Sequence, residues 1–249
     1  MLTLRIMQMG FVALLGCAAA DAGAGTQGVE RTTDGSAQAT PIPYTESFVV
    51  DKDELVPTGR NPFFILEPGY RLVLEGKDGQ DAVQLIITVL DETRTVDGVQ
   101  TRTVEERESE NGELIEISRN YFAISSRTND VYYFGEEVDI YKDGKIVRHE
   151  GAWMSGEKGA RFGLLMPGSP LLGAKYHQEI APGVAMDRAL VLSLGETIQT
   201  PAGRFEGCLR TMEDTPLEEN SEEKKSYAPW IGLIQEENLR LVSYGRAGR

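Results

Sequence analysis

The sequence predicts an all-β fold, an antiparallel meander of hairpins curled into a barrel-like or sandwich domain that follows a signal peptide and a flexible tether. Asp-Gly or Asn-Gly dipeptides separate extended-looking runs in KDGQ, VDGV, ENGE and KDGK. Those runs alternate apolar and polar residues, as strands with one buried face do. No amphipathic stretch of helical length follows the N-terminal segment. We therefore predict a single all-β domain over residues 44–249, with roughly ten to twelve strands.

The first element, residues 1–16, has the features of a targeting segment. Arg5 supplies a positive charge, and an apolar stretch of about ten residues follows it, which is the length of a secretory apolar region. That stretch is too short to span a bilayer, which needs roughly 20 residues. Export from the cytoplasm follows from this interpretation.

The sequence LLGC, which ends at Cys17, resembles the lipobox of bacterial lipoproteins. The resemblance implies that the chain is cut before Cys17, that its thiol carries diacylglycerol, and that two or more acyl chains then hold the protein at a membrane. It further implies a lipid-anchored protein of the bacterial cell envelope. Ala18 after the anchor favours the outer membrane facing the periplasm in a Gram-negative cell. Ordinary secretion, with cleavage within Ala18–Ala20, is the alternative.

The second element, residues 17–43, is rich in Ala, Gly, Thr, Gln and Ser and shows no apolar periodicity. This composition predicts a flexible, lipidated tether. The stretch GAGTQG matches the G-x-G-x-x-G dinucleotide pattern by letter only, because that motif functions between a strand and a helix. We therefore expect no nucleotide cofactor here.

In the domain itself, hairpin turns are predicted at 77–80, 96–99, 110–113 and 142–145, because Asp-Gly and Asn-Gly tolerate the positive φ of tight turns. Alternation predicts which side chains of the flanking strands face the core. The inward residues are predicted to be Tyr70, Leu72 and Leu74 in one strand, Val83, Leu85, Ile87 and Val89 in the next, and Leu190, Leu192 and Leu194 in a later one.

The charge balance excludes one class of partner. The chain has 249 residues, with 25 Lys plus Arg against 39 Asp plus Glu and a net charge of −14. Nucleic-acid binding requires a concentrated basic surface, so we expect no nucleic-acid partner. We interpret the acidic runs, such as residues 51–54 and 213–223, as solvated faces.

Residues with catalytic or metal-binding chemistry are few. The two histidines, His149 and His177, do not form the H-E-x-x-H zinc pattern, and Ser169 lies outside any G-x-S-x-G motif. With Cys17 lipidated, Cys208 has no disulfide partner, and we predict that it is a small buried residue. We therefore predict no catalytic residue, no metal site and no cofactor, with a hydrolase as a weaker alternative.

The aromatic residues are the best candidates for ligand contact. Tyr132, Tyr133 and Phe134 are consecutive, so they must point to both faces of one strand, and Trp153 follows nearby. Either these four side chains line a cavity for an apolar ligand, as barrels can provide, or they fill the core.

The C-terminal third resembles exported bacterial proteins of the TapB-like and related uncharacterised type. In the first motif of that family, Pro201, Ala202, Gly203 and Phe205 match PAG-x-F, and in the second, Tyr227, Ala228, Pro229, Gly232 and Leu233 match YAPGVGL. The stretches NPFFILEPGYRLVLEG and APGVAMDRALVLSLGE are also similar to that family. The resemblance implies a β-rich, barrel-like envelope domain and no established reaction.

Taken together, these features favour a β domain that binds an apolar or amphipathic ligand or an envelope protein. A structural or assembly component without a small ligand is the alternative. A ligand-binding domain predicts an accessible cavity, whereas an assembly component predicts a filled core and an exposed edge or apolar patch.

Overall fold

The computed structural model describes residues 42–246, and about two thirds of them belong to antiparallel strands. The predicted signal peptide, the lipid site Cys17 and nearly all of the tether lie outside the described residues. Within 42–246 the one helical segment is a 3-10 turn at Lys52–Glu54, and none of the described helices is long and apolar enough to cross a membrane.

The strands, in chain order, are β1 (Leu55–Val56), β2 (Gly59–Asn61), β3 (Phe64–Leu66), β4 (Tyr70–Asp78), β5 (Asp81–Val96), β6 (Val99–Glu110), β7 (Glu113–Ser125), β8 (Val131–Lys142), β9 (Lys145–Met154), β10 (Arg161–Met166), β11 (Lys175–His177), β12 (Glu179–Ile180), β13 (Arg188–Thr200), β14 (Gly203–Asp214), β15 (Glu223–Ala228), β16 (Gly232–Glu236) and β17 (Leu239–Arg246).

The main sheet curls until its two ends nearly meet, which confirms the predicted all-β antiparallel class and makes the domain barrel-like. Its order is β11-β13-β14-β15-β16-β17-β4-β5-β6-β7-β8-β10-β12, with β1 paired to β7 and β9 to β8. The two terminal strands, β11 and β12, are consecutive in the chain and separated by Gln178 alone. The chain therefore links the two ends of the sheet directly.

A glycine permits the close approach at this junction. A Cβ on Gly163 of β10 would lie 2.5 Å from the carbonyl oxygens of both His177 and Gln178. Any side chain at this position would force β10 away from the β11–β12 segment, so the near-closure depends on Gly163.

The predicted hairpin turns all exist. Asp97-Gly98, Asn111-Gly112 and Asp143-Gly144 have positive φ at both residues, as type I′ turns require. In the first hairpin Asp78 pairs with Asp81, so the two turn residues are Gly79-Gln80 rather than Asp78-Gly79. Glycine then occupies the first central position, where its positive φ of 59° carries no Cβ penalty.

The predicted inward residues are correct for β4 and β5 and wrong for β13. Leu72, Leu74, Leu85 and Val89 are buried in the main core. In β13, Ala189 and Val191 face the core instead, and the predicted residues Leu190, Leu192 and Leu194 lie on the other face. Ala189 pairs with Tyr176 of β11, and both side chains are buried in the main core.

A short hairpin, β2–β3, adds Phe63 and Leu66 to the main core. Asn61, which is fully buried, anchors it: its Nδ2 donates to the carbonyl oxygens of Asn129 (2.8 Å), Met166 (3.3 Å) and Pro167 (3.0 Å). Its Oδ1 accepts from the Phe63 amide at 2.7 Å. The hairpin is thus held against the segments that precede β8 and follow β10.

A second, smaller core lies on the outer face of β7 and β8. It contains seven buried side chains: Leu55, Val96, Val99, Tyr121, Ala123, Tyr132 and Phe134. Phe48 and Val50, from the segment before the first strand, cover it. Both faces of β8 are therefore buried, which accounts for its uninterrupted run of aromatic residues.

Candidate functional site

An apolar pocket opens within the main core. Its cavity volume is about 40 Å³. Its walls come from β3 to β6, β10, β15 and β16, and they consist of Phe64, Ile65, Tyr70, Leu72, Ile87, Val89, Val104, Glu106, Leu165, Met166, Tyr227, Ile231, Gly232 and Leu233. Three of these fourteen residues carry a polar side-chain group: Tyr70, whose hydroxyl donates to the carbonyl oxygen of Ile231 at 2.9 Å, and Glu106 and Tyr227, which form the polar end of the pocket.

Glu106 and Tyr227 connect the pocket to a buried ion network. The hydroxyl of Tyr227 donates to Oε1 of Glu213 at 3.1 Å, and Thr211 Oγ1 donates to the same oxygen at 3.0 Å. Lys225 Nζ lies 3.1 Å from Glu213 Oε2 and 3.0 Å from Glu236 Oε1. Lys225 is 2 % exposed, so this is an ion triad removed from solvent.

The two carboxylates keep Lys225 charged. Burial alone would lower the pKa of Lys225, but Glu213 and Glu236 outweigh it and raise that pKa well above the usual value. The single lysine charge is thus shared between two glutamates in direct contact with it.

Further carboxyl groups lie on the inner face of the sheet. We call Glu106, Glu108, Glu116, Glu136, Glu213 and Glu236 the acidic interior. The strand register places the first four: Glu108 pairs with Glu116, Glu106 pairs with Ser118, and Asn120 pairs with Glu136. Paired residues share a face of the sheet, and on the other side of β6 their partners are Leu85 and Ile87 of the core.

Burial raises the pKa of four of these carboxyl groups, those of Glu106, Glu108, Glu116 and Glu136. It raises the pKa of Glu106 to about 7, and the charge of Glu236 adds to the shift while Lys225 opposes it. It raises the pKa of Glu108 to about 9 and that of Glu116 to about 8, each helped by a neighbouring carboxylate. The pKa of Glu136 is raised well above its usual range for the same reasons. At neutral pH much of this group is therefore protonated, and it can donate as well as accept hydrogen bonds.

The interior also contains polar atoms with unused hydrogen-bonding capacity. Among the described residues, four buried polar atoms have no hydrogen-bond partner: Oε2 of Glu116, Nε1 of Trp153, the hydroxyl oxygen of Tyr176 and Nδ1 of His177. Trp153 pairs with Glu136, and Tyr176 lies across β13 from Glu213. Buried polar atoms are rarely left unpaired, and none of these four belongs to a residue that lines the pocket.

The four aromatic residues predicted from the sequence divide between the two cores. Tyr133 and Trp153 lie in the main core with ring centroids 5.1 Å apart, and Tyr133 donates to Asn120 Oδ1 at 2.5 Å. Tyr132 and Phe134 lie in the outer core. None of the four is among the residues that line the pocket.

The histidines are separated by the fold. His149 is exposed on β9, with Nδ1 2.7 Å from Asp139 Oδ1. His177 is buried at the junction of the sheet, and burial lowers its pKa. Within residues 42–246 no group of three or more His, Cys, Asp or Glu side chains is placed to hold a metal ion. Cys208 is free and fully buried, as predicted.

Sequence reasoning missed the acidic interior, although a signal for it was present. The turn at Asp97-Gly98 sets the pairing of β5 with β6, and counting back from it places glutamates opposite the apolar residues of β5. Alternation along β6 then continues from Val104 into Glu106 and Glu108 on one face. Acidic side chains are rarely buried, so the sequence alone predicts that these glutamates are solvated.

No family model, curated protein or solved structure matches this chain. The resemblance to TapB-like proteins therefore stays a prediction, and the function is argued from the site itself.

Proposed function

We propose that this barrel binds an amphipathic ligand, with its apolar part in the pocket and its polar end at Glu106 and Tyr227. The observation that carries the proposal is the composition of the pocket wall, which is apolar except at the end that meets the acidic interior. Ligand sites generally combine an apolar lining with a few placed polar groups.

The apolar lining suits the hydrocarbon part of an amphiphile. Burying one methylene contributes about 0.8 kcal/mol, so a chain of six carbons, if buried, contributes about 5 kcal/mol. That gain is large enough for measurable binding after part of it is offset by the loss of ligand freedom.

The proposal is tested by titrating the full chain with Nile red, an uncharged apolar dye whose emission rises in apolar surroundings. Ile87 lines the pocket and is half-buried, so Ile87→Trp should fill the space and weaken binding at least tenfold. Ile231→Trp fills the same pocket from the turn before β16 and serves if the first variant fails to fold. Ile146→Trp, on the exposed part of β9, is the matched control and should bind as the parent does.

Saturable binding that only the pocket variants lose supports the proposal. Equal dye binding by Ile87→Trp, Ile231→Trp and the parent would refute it, and so would no saturable binding by the folded parent. In either case the assembly alternative becomes the better explanation.

We propose further that Cys17 anchors this domain to an envelope membrane, which would place the pocket near lipids and other amphiphiles. The support is the LLGC sequence and the apolar stretch before it. Cys17→Ser should move the protein from the membrane fraction to the soluble fraction. Continued membrane fractionation of this variant would count against lipidation.

A further inference from the structure

We infer that the polar end of the ligand is a protonated amine, so that the barrel selects cationic amphiphiles. This inference rests on the proposed function and adds the charge class of the ligand. Its basis is the excess of carboxyl groups next to the pocket together with the lack of a free cation among the described residues that surround it.

The cations buried in the described chain already have partners. Lys225 is held between Glu213 and Glu236. Arg102 donates to the backbone carbonyls of Pro57 at 2.9 Å and Asp91 at 2.8 Å. Neither side chain forms an ion pair with Glu106, which lines the pocket and has a pKa of about 7, so this carboxyl group is largely ionised at pH 7.5. An ammonium group entering from the pocket would pair with that charge.

Glu106 is the residue that would contact the ammonium group of the ligand. It lines the pocket, and on the inner face of the sheet it lies diagonally next to Glu116. Oε2 of Glu116 is buried, lacks a partner and can accept a hydrogen bond from the guest. A primary ammonium has three N–H donors, which matches a site rich in carboxylate and hydroxyl oxygens.

Other head groups fit this end of the pocket less well. A carboxylate or phosphate would face the acidic interior with no free cation to pair with it, and desolvation would add to the cost. An uncharged amide could form hydrogen bonds, but without the gain from charge. A metal ion needs converging ligands, and the described residues do not provide such a group. The arrangement therefore favours an organic cation.

The test is competition against bound Nile red by three compounds of equal chain length: octylamine, the uncharged N-octylacetamide, and octanoate. At pH 7.5 the full chain should prefer octylamine over N-octylacetamide by about tenfold or more, since hydrogen bonds to charged groups are the stronger class. Octanoate should compete least.

Variants identify which residues produce the preference for octylamine over N-octylacetamide. Glu106→Gln should remove the preference for octylamine and leave the affinity for N-octylacetamide unchanged, and Glu116→Gln should reduce the preference in part. Glu113→Gln, an exposed acid at the start of β7, is the matched control and should retain it. Glutamine keeps the size of the side chain, so these variants should fold.

The outcomes separate this inference from the function it rests on. If Nile red binds and the three compounds displace it equally, the inference is wrong and amphiphile binding stands. A tenfold preference that survives Glu106→Gln would also overturn it. If Nile red does not bind at all, the proposed function fails first.

Discussion

Glu108→Gln is expected to stabilise the barrel strongly at pH 8 and hardly at all at pH 4. Glu108 is 6 % exposed, and burial together with the charges of Glu116 and Glu236 raises its pKa to about 9 from an ordinary value of 4.5. In the unfolded chain the group loses its proton near the ordinary value, whereas in the folded chain it holds the proton until about pH 9.

The sign and the size of the effect follow from this difference. Because the folded pKa is the higher one, the contribution of Glu108 is most favourable below pH 4.5 and is lost as the pH rises toward 9. Each pH unit above the ordinary pKa costs about 1.4 kcal/mol, so the folded state is less stable at pH 8 than at pH 4 by up to about 5 kcal/mol from this group. Glutamine is neutral throughout and avoids that loss.

The assay is urea unfolding of the full chain at pH 4 and pH 8, followed by the fluorescence of Trp153, which is buried in the main core. The control is Glu113→Gln at an exposed position, which should shift the unfolding free energy by less than about 0.5 kcal/mol at both values. If Glu108→Gln changes stability equally at pH 4 and pH 8, or destabilises at pH 8, the buried and protonated state of Glu108 is refuted.

Three further predictions concern the contacts that hold the barrel. Lys225→Met leaves Glu213 and Glu236 buried without a cation and should cost about 3–5 kcal/mol at pH 7, whereas Lys224→Met, at the exposed neighbouring position, should cost less than about 0.5 kcal/mol in the same thermal unfolding experiment. Asn61→Ala removes three donated hydrogen bonds and one accepted one, and should lower the urea unfolding free energy by about 2–4 kcal/mol, with an unchanged midpoint contradicting its anchoring role. Gly163→Ala should speed amide exchange at β11 and β12 because its Cβ would meet two carbonyl oxygens at 2.5 Å, and unaltered exchange there would show that the junction tolerates a side chain.

The sequence by itself determined the local features of this fold. The Asp-Gly and Asn-Gly turns were predictable because positive φ is a property of one or two residues and needs no distant contact. The inward faces of β4 and β5 were predictable as well, because their alternating leucine, isoleucine and valine residues leave one apolar side to bury.

The inward face of β13 could not be determined in this way. Its leucines suggested one face, and the structure buries Ala189 and Val191 on the other, with Ala189 paired to the buried Tyr176 of β11. Local alternation fixes only which residues share a face, and the partner strand decides which of the two faces turns inward.

Only the tertiary structure decided that acidic side chains line the interior. Glu213, Lys225 and Glu236 lie on the neighbouring strands β14, β15 and β16, whereas Glu106 and Glu108 of β6 come near this group only across the curled sheet. An acidic side chain considered alone indicates a solvated surface, because burying a charge is costly. The cost is tolerated here because Glu213 and Glu236 share one lysine, while burial keeps other carboxyl groups protonated.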